Sequence, residues 1–203
     1  MCFDCYFSIF TRKINIMSLK TEQITKNAAK FFKTAQDYGF MNDELMNFLG
    51  QDFIKAPAST NKNLHNAFEG GLIDHLLRVT KHAVSLNETI LPEELRIDKK
   101  SIVKVGLLHQ IGKAHLYTKC TSEWHITNQG KMYEFNDKLT SMSVAERSIY
   151  YLLSYGINLS EDEFQAIINH DKDDSDKQAK YHTNTLGEIL KIAIKFAIME
   201  EKK

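Results

Sequence analysis

Four histidines of the chain stand where neighbouring residues suggest shared chemistry. His109 lies in Leu107–Lys113, Leu-Leu-His-Gln-Ile-Gly-Lys, which ends the apolar run Ser101–Leu108. His75 follows Gly70-Gly71-Leu72 and precedes Arg78 by three residues. His65 opens the same stretch, and His170 closes Ala166-Ile-Ile-Asn. A neutral imidazole can ligate a metal, and an imidazole near its ordinary pKa can carry a proton at physiological pH. Lys113 and Arg78 add cations of the kind that make charge-assisted hydrogen bonds to phosphoryl oxygens. His109 and Lys113, four residues apart, share one side of a helix. The pattern is that of a buried helix delivering polar groups to a pocket. Each cation also has a plainer role open to it: Lys113 as a surface charge near a helix C-terminus, Arg78 as a helix-surface residue.

The elements that must hold these groups are helical. Two prolines and nine glycines in 203 residues, with many Leu, Ile, Lys and Glu, favour helix. The spacing of Ile24, Ala28, Phe31, Phe32 and Ala35 predicts a helix over Ser18–Tyr38, and a second follows over Asp43–Ile54. Lys55–Asn63 reads as a loop. Leu72, Leu76, Val79, Ala83 and Leu86 form the core stripe of a helix carrying His75. Asp98 or Ser101 is placed to cap the helix that leads to His109. Between His115 and Phe135 the helical period is lost, and a short β-hairpin is expected, with Trp124 and Tyr133 packing it on the helices. Ser143–Tyr155 is helical. Ser160 and Glu163 form a capping box that opens a helix to about His170. Asp171–Tyr181 is a charged loop, and Thr183 or Asn184 opens a last helix running to Ile198. The fold expected is a mostly α-helical bundle with a small β-hairpin insertion. It forms one domain over residues 18–203, with the motifs in 64–198 and an N-terminal extension over 1–17.

Bulk properties exclude several classes. Lys+Arg and Asp+Glu are equal at 26 each, so nucleic acid and anionic membranes are not indicated as partners. No apolar run approaches the roughly 20 residues of a membrane helix. Three cysteines argue against a disulfide framework and for a cytoplasmic setting, and Cys2-x-x-Cys5 lacks the second pair of a zinc site.

Gly70-Gly71-Leu72 with His75, and Leu107–Lys113, resemble two motifs of the HD-domain metal-dependent phosphohydrolases, most closely phage-type members. The resemblance spans about His65 to Ala197. It implies a helical fold and a divalent-metal site for hydrolysis at phosphorus. It matches His75 and His109 to the first two ligands, His170 to a further histidine and His65 to a pocket histidine. Lys113 corresponds to a phosphate contact. Gln110 stands where the family has Asp, Val144 where metal-rich relatives have His, and Ile194 where the last-helix Asp is expected. With both core carboxylates missing, the expectation is a degenerate member that has lost hydrolysis and holds no resident metal. It would keep the pocket for a nucleotide or phosphate, or the scaffold for a protein partner, in a host cytoplasm if phage-encoded. The rival reading is an active hydrolase on nucleotides, with Mn, Fe, Ni, Co or Zn held by His75, His109 and His170.

Overall fold

The computed structural model describes residues 21–172 and 183–202. The expected extension 1–17 and most of the charged loop 171–181 lie outside them.

The expected helices are present, with shifted ends. α1 (Thr21–Asp37) buries Asn27, Ala28, Phe31 and Ala35 on one face. α2 (Asp43–Lys55) starts where the Asn42 side chain accepts from the Leu45 amide, and it kinks at Gly50. The Phe31 and Phe53 rings meet at 5.0 Å and join the two helices. α3 (Gly71–Ser85) carries His75 and buries Leu72, Leu76, Val79 and Ala83, the stripe read from the sequence. α4 (Lys99–Leu108) begins after Asp98, whose side chain makes no capping bond. The Ser101 hydroxyl donates instead to Glu163, so neither proposed cap acts as one. α5 (Val144–Ser154) and α6 (Glu161–Asn169) each open with a capping box, Ser143 with Glu146 and Ser160 with Glu163. α7 (Thr185–Glu201) is capped by Asn184 and runs three residues past the expected end at Ile198.

α3 is the central helix, packed by α1, α2, α4 and α7. Leu72, Leu76, Leu107, Leu108, Ile111, Leu152 and Leu190 are among the fully buried side chains between them. The inserted hairpin is antiparallel, β1 (Tyr117–Lys119) on β2 (Tyr133–Phe135), with Tyr117 opposite Phe135. It is tied to the loop before α3, where the Met132 amide donates to the Thr60 carbonyl. Tyr133 is buried, but Trp124 is 59% exposed. The residue next to Trp124 begins the wide turn His125–Gln129 that closes the hairpin, so Trp124 does not pack it on the bundle. Among the described residues, no helix is long and apolar enough to cross a membrane.

Gly71 shows how tightly the entry to α3 is built. A Cβ there would sit 2.2 Å from the Asn66 carbonyl oxygen, a backbone atom that cannot swing away. Gly71→Ala is expected to cost about 1–3 kcal/mol, as overpacking does, read as a lowered urea midpoint at unchanged m-value.

Candidate functional site

Four separate chain segments bring the histidines to one place. Asn66, at φ 44, turns the loop before α3. Its side chain donates to the Gly71 carbonyl at 3.3 Å and to Asp74 at 3.0 Å. The adjacent His65 ring then lies 4.9 Å from the His75 ring on α3. α4 ends at His109, Gln110 leaves the helix at φ −124, and Ile111–Lys113 forms a single tight turn. Gly112 permits that turn to press on α5: a Cβ there would stand 2.6 Å from the Val144 carbonyl oxygen and 2.7 Å from the Ser148 nitrogen. His170 follows the last residue of α6. The rings form a ladder, with His75 6.1 Å from His109 and His109 5.0 Å from His170.

The hydrogen bonds set the tautomers. His109 Nδ1 lies 3.1 Å from the Gly106 carbonyl, and His170 Nδ1 lies 2.7 Å from the Ile167 carbonyl. A carbonyl only accepts, so each Nδ1 carries the proton and each Nε2 keeps its lone pair. His75 Nδ1 faces the Glu201 carboxyl at 2.9 Å. The Nε2 atoms of His65, His75 and His109 are buried without a hydrogen-bond partner. His170 Nε2 differs, because the Gln110 amide nitrogen stands 3.5 Å away. Gln110 Oε1 in turn accepts from Lys113 Nζ at 2.8 Å, and the same ammonium donates to the Ala58 carbonyl at 2.6 Å.

Electrostatics follow from burial. Desolvation, with the charges of neighbouring His75 and Lys113, lowers His65 to about 3. Burial and the Lys113 charge lower His75 to about 3 as well. Burial also holds His109 and His170 below the usual histidine range. Lys113 falls to about 8 by burial, and Glu201 rises to about 8 for the same reason despite nearby Arg78. Near pH 7 this makes four neutral imidazoles and a largely protonated Glu201 carboxyl beside one ammonium.

Three expectations change here. The last helix does bring a carboxylate to the pocket: Glu201, whose side chain is 1% exposed, in the turn beyond the expected helix end. Ile194 instead packs on the bundle core, about 10 Å earlier along the helix axis by the rise of 1.5 Å per residue. The pocket therefore holds a carboxyl group, from a position outside those the resemblance matched. A signal for Glu201 existed, since Glu200-Glu201 ends a helix with anions where the macrodipole disfavours them. Lys113 is no surface cation, being buried at 7% exposure. Arg78 reaches the pocket edge but is held by Asp74 at 3.1 Å, Glu200 at 2.9 Å and Glu201 at 3.3 Å. It positions Glu201 rather than standing free for an anion. Val144 is the half-buried first residue of α5, with its carbonyl against Gly112. Asp171, next to His170, is exposed. His115, read as structural, pairs with Asp52 and the Phe48 carbonyl.

A metal fits these residues. One ligand atom each from His65, His75 and Glu201 lies within 4.8 Å of the others. The orphaned His109 Nε2 is on the next ring of the ladder. Each ring nitrogen opposite a free Nε2 on His75 and His109 is fixed by an oxygen, the arrangement that orients metal-binding imidazoles.

Over 106 residues the chain is 31% identical to the dihydroneopterin 2',3'-cyclic phosphate phosphodiesterase of Methanocaldococcus jannaschii, a match covering 50% of this chain and 39% of that protein. The chain thus spans well under half of that relative's length. No family model matches the chain, and no solved structure matches it significantly.

Proposed function

We propose that the histidine pocket is the active site of a metal-dependent phosphoric-ester hydrolase of HD-domain type, acting on a phosphodiester. The observation that carries this reading is the set of three buried imidazole Nε2 atoms, on His65, His75 and His109, left without partners beside Glu201. These residues would hold one divalent ion of the Mn, Fe, Co, Ni or Zn class. When bound, such an ion lowers the pKa of water and offsets charge on phosphoryl oxygens.

The chain's own groups supply the rest. Among the described residues, Lys113 Nζ donates to the neutral oxygens of Ala58 and Gln110, so its charge is available to a phosphoryl oxygen. Glu201 accepts the His75 Nδ1 proton in a hydrogen bond and keeps that ring turned to the pocket. Arg78 fixes Glu201 from the other side. Burial of His75, His109 and His170 excludes water that would otherwise screen these charges. The similarity to a phosphodiesterase over half the chain supports the class of substrate.

A second reading, a receptor that binds a nucleotide or phosphate without turnover, is favoured by Gln110. It replaces an anionic ligand with a neutral amide, and that amide is engaged by Lys113 and His170. Hydrolysis assays separate the two. Bis(p-nitrophenyl) phosphate and 2',3'-cyclic nucleotides should be turned over with added manganese or cobalt, and not by His75→Ala. Binding of those esters with no turnover under any of the metals would favour the receptor.

Glu201→Gln keeps the shape but removes the ionisable carboxyl. It is expected to weaken metal binding about 10–100-fold, as loss of such partners does, measured by competition with a chelating dye.

A further inference from the structure

Asp74 stands next to His75 on α3, yet it is not one of the groups whose ligand atoms converge, which are His65, His75 and Glu201. Successive residues of a helix point about 100° apart, so Asp74 faces other segments. Two of the three converging groups are not on α3 at all. His65 lies on the loop ahead of it, and Glu201 ends α7. Something must hold both against α3 at a fixed spacing.

The hydrogen bonds of Asp74 do this. Asn66 Nδ2 donates to Asp74 Oδ2 at 3.0 Å. That bond helps to hold Asn66 at φ 44, a backbone conformation unfavourable to residues with a Cβ. His65 is the preceding residue, and its carbonyl accepts from the Ser59 hydroxyl at 2.5 Å. Arg78 Nη2 donates to the same Oδ2 at 3.1 Å. The Arg78 guanidinium then stands 2.9 Å from Glu200 Oε2 and 3.3 Å from Glu201 Oε1. One carboxylate oxygen is therefore shared by the His65 loop and the end of α7. The other is occupied by α1: Asn27 Nδ2 donates to Asp74 Oδ1 at 3.2 Å, and Gln23 donates to the Asn27 oxygen at 2.8 Å. Asn27 and Asn66 are buried.

On the reading of this pocket as a metal site, we propose that Asp74 is its positioning residue, tying the His65 loop to the Glu201 end of α7 through Asn66 and Arg78. A carboxylate near a cation also favours it through space, and two substitutions separate the effects. Asp74→Asn removes the charge but keeps an oxygen for Asn66 and Arg78. Its amide nitrogen would face Asn27, whose amide can turn over together with Gln23 and accept. Asp74→Ala removes charge and oxygens alike.

The test measures cobalt(II) affinity of the full chain by competition with a chelating dye, with the visible spectrum of the bound ion as a report of its geometry. Asp74→Ala should weaken binding about tenfold or more, as loss of a ligand's supporting partner does, and should alter the spectrum. Asp74→Asn should keep the parent spectrum and an affinity closer to the parent than to Asp74→Ala. Asn66→Gly accepts the φ of 44 without strain and cuts only the His65 arm. It should weaken cobalt as well, and its effect should add to that of Asp74→Ala by less than the sum, since both break one network. A purely structural Asp74 would lower the urea midpoint and leave cobalt affinity and spectrum unchanged. That result would overturn the proposal while the metal site stood. Asp74→Asn as weak as Asp74→Ala would overturn it in favour of charge alone, and Asn66→Gly with the parent's affinity would overturn it even if Asp74→Ala did not fold. A parent that binds no metal would sink the site and the proposal together.

Discussion

His109→Ala protein is expected to lose bound divalent metal and phosphodiester turnover together, the turnover by on the order of 100-fold or more. His109 is fully buried, and its one hydrogen bond among the described residues runs from Nδ1 to the Gly106 carbonyl. Its Nε2 contributes nothing to the apo fold, since it has no partner. The substitution therefore removes a ligand atom while breaking one hydrogen bond, worth about 1 kcal/mol. The metal-free variant should fold with a far-ultraviolet spectrum like that of the parent. The parent alone should gain thermal stability when manganese or cobalt is added, because a ligand that binds only the native state raises its melting temperature. Equal stabilisation of parent and variant by metal would remove His109 from the site.

The second large effect is acid sensitivity. The four pocket histidines have folded pKa values below the ordinary 6.5, with His65 and His75 near 3. In the unfolded chain they protonate near 6.5. Between those values the unfolded state binds more protons than the native one, so stability falls as pH drops below about 6.5. Each proton of difference costs about 1.4 kcal/mol per pH unit. Glu201 acts with the opposite sign: its folded value of about 8 gives stability that is present below the unfolded carboxyl value and lost as pH rises to 8. Four imidazoles outnumber one carboxyl, so the net change on acidification is destabilising. Against a typical total of about 5–15 kcal/mol, the metal-free protein should be markedly less stable at pH 5 than at pH 7. Urea titrations at pH 7 and pH 5 measure this directly, and an unchanged midpoint would mean that the rings are solvated.

Much of this architecture was legible in the residues. The stripe Leu72, Leu76, Val79, Ala83 specified α3, and the two Ser–Glu capping boxes specified the starts of α5 and α6. The loss of helical period after His115 marked the hairpin. Local pattern reaches that far because each signal lies within a few turns. The site depends on contacts between distant segments, and there the sequence was less informative. Glu201 meets His75 across 126 positions, and no spacing rule links them. The apolar period of its helix ends at Ile198, although the backbone continues for one further turn. Lys113 was ambiguous for a similar reason: its burial comes from the Ala58 carbonyl, 55 residues away. The residue type of Trp124 says nothing about which way a hairpin tip turns.

The central claim is that His65, His75 and His109, with Glu201, hold a metal ion. The most direct measurement is elemental analysis of protein purified without chelator, and again after dialysis against manganese, iron, cobalt, nickel and zinc in turn. The account predicts close to one divalent ion per chain from at least one of these metals, lost in His75→Ala and in His109→Ala. A parent protein that takes up none of the five, or metal content unchanged in both variants, would contradict it.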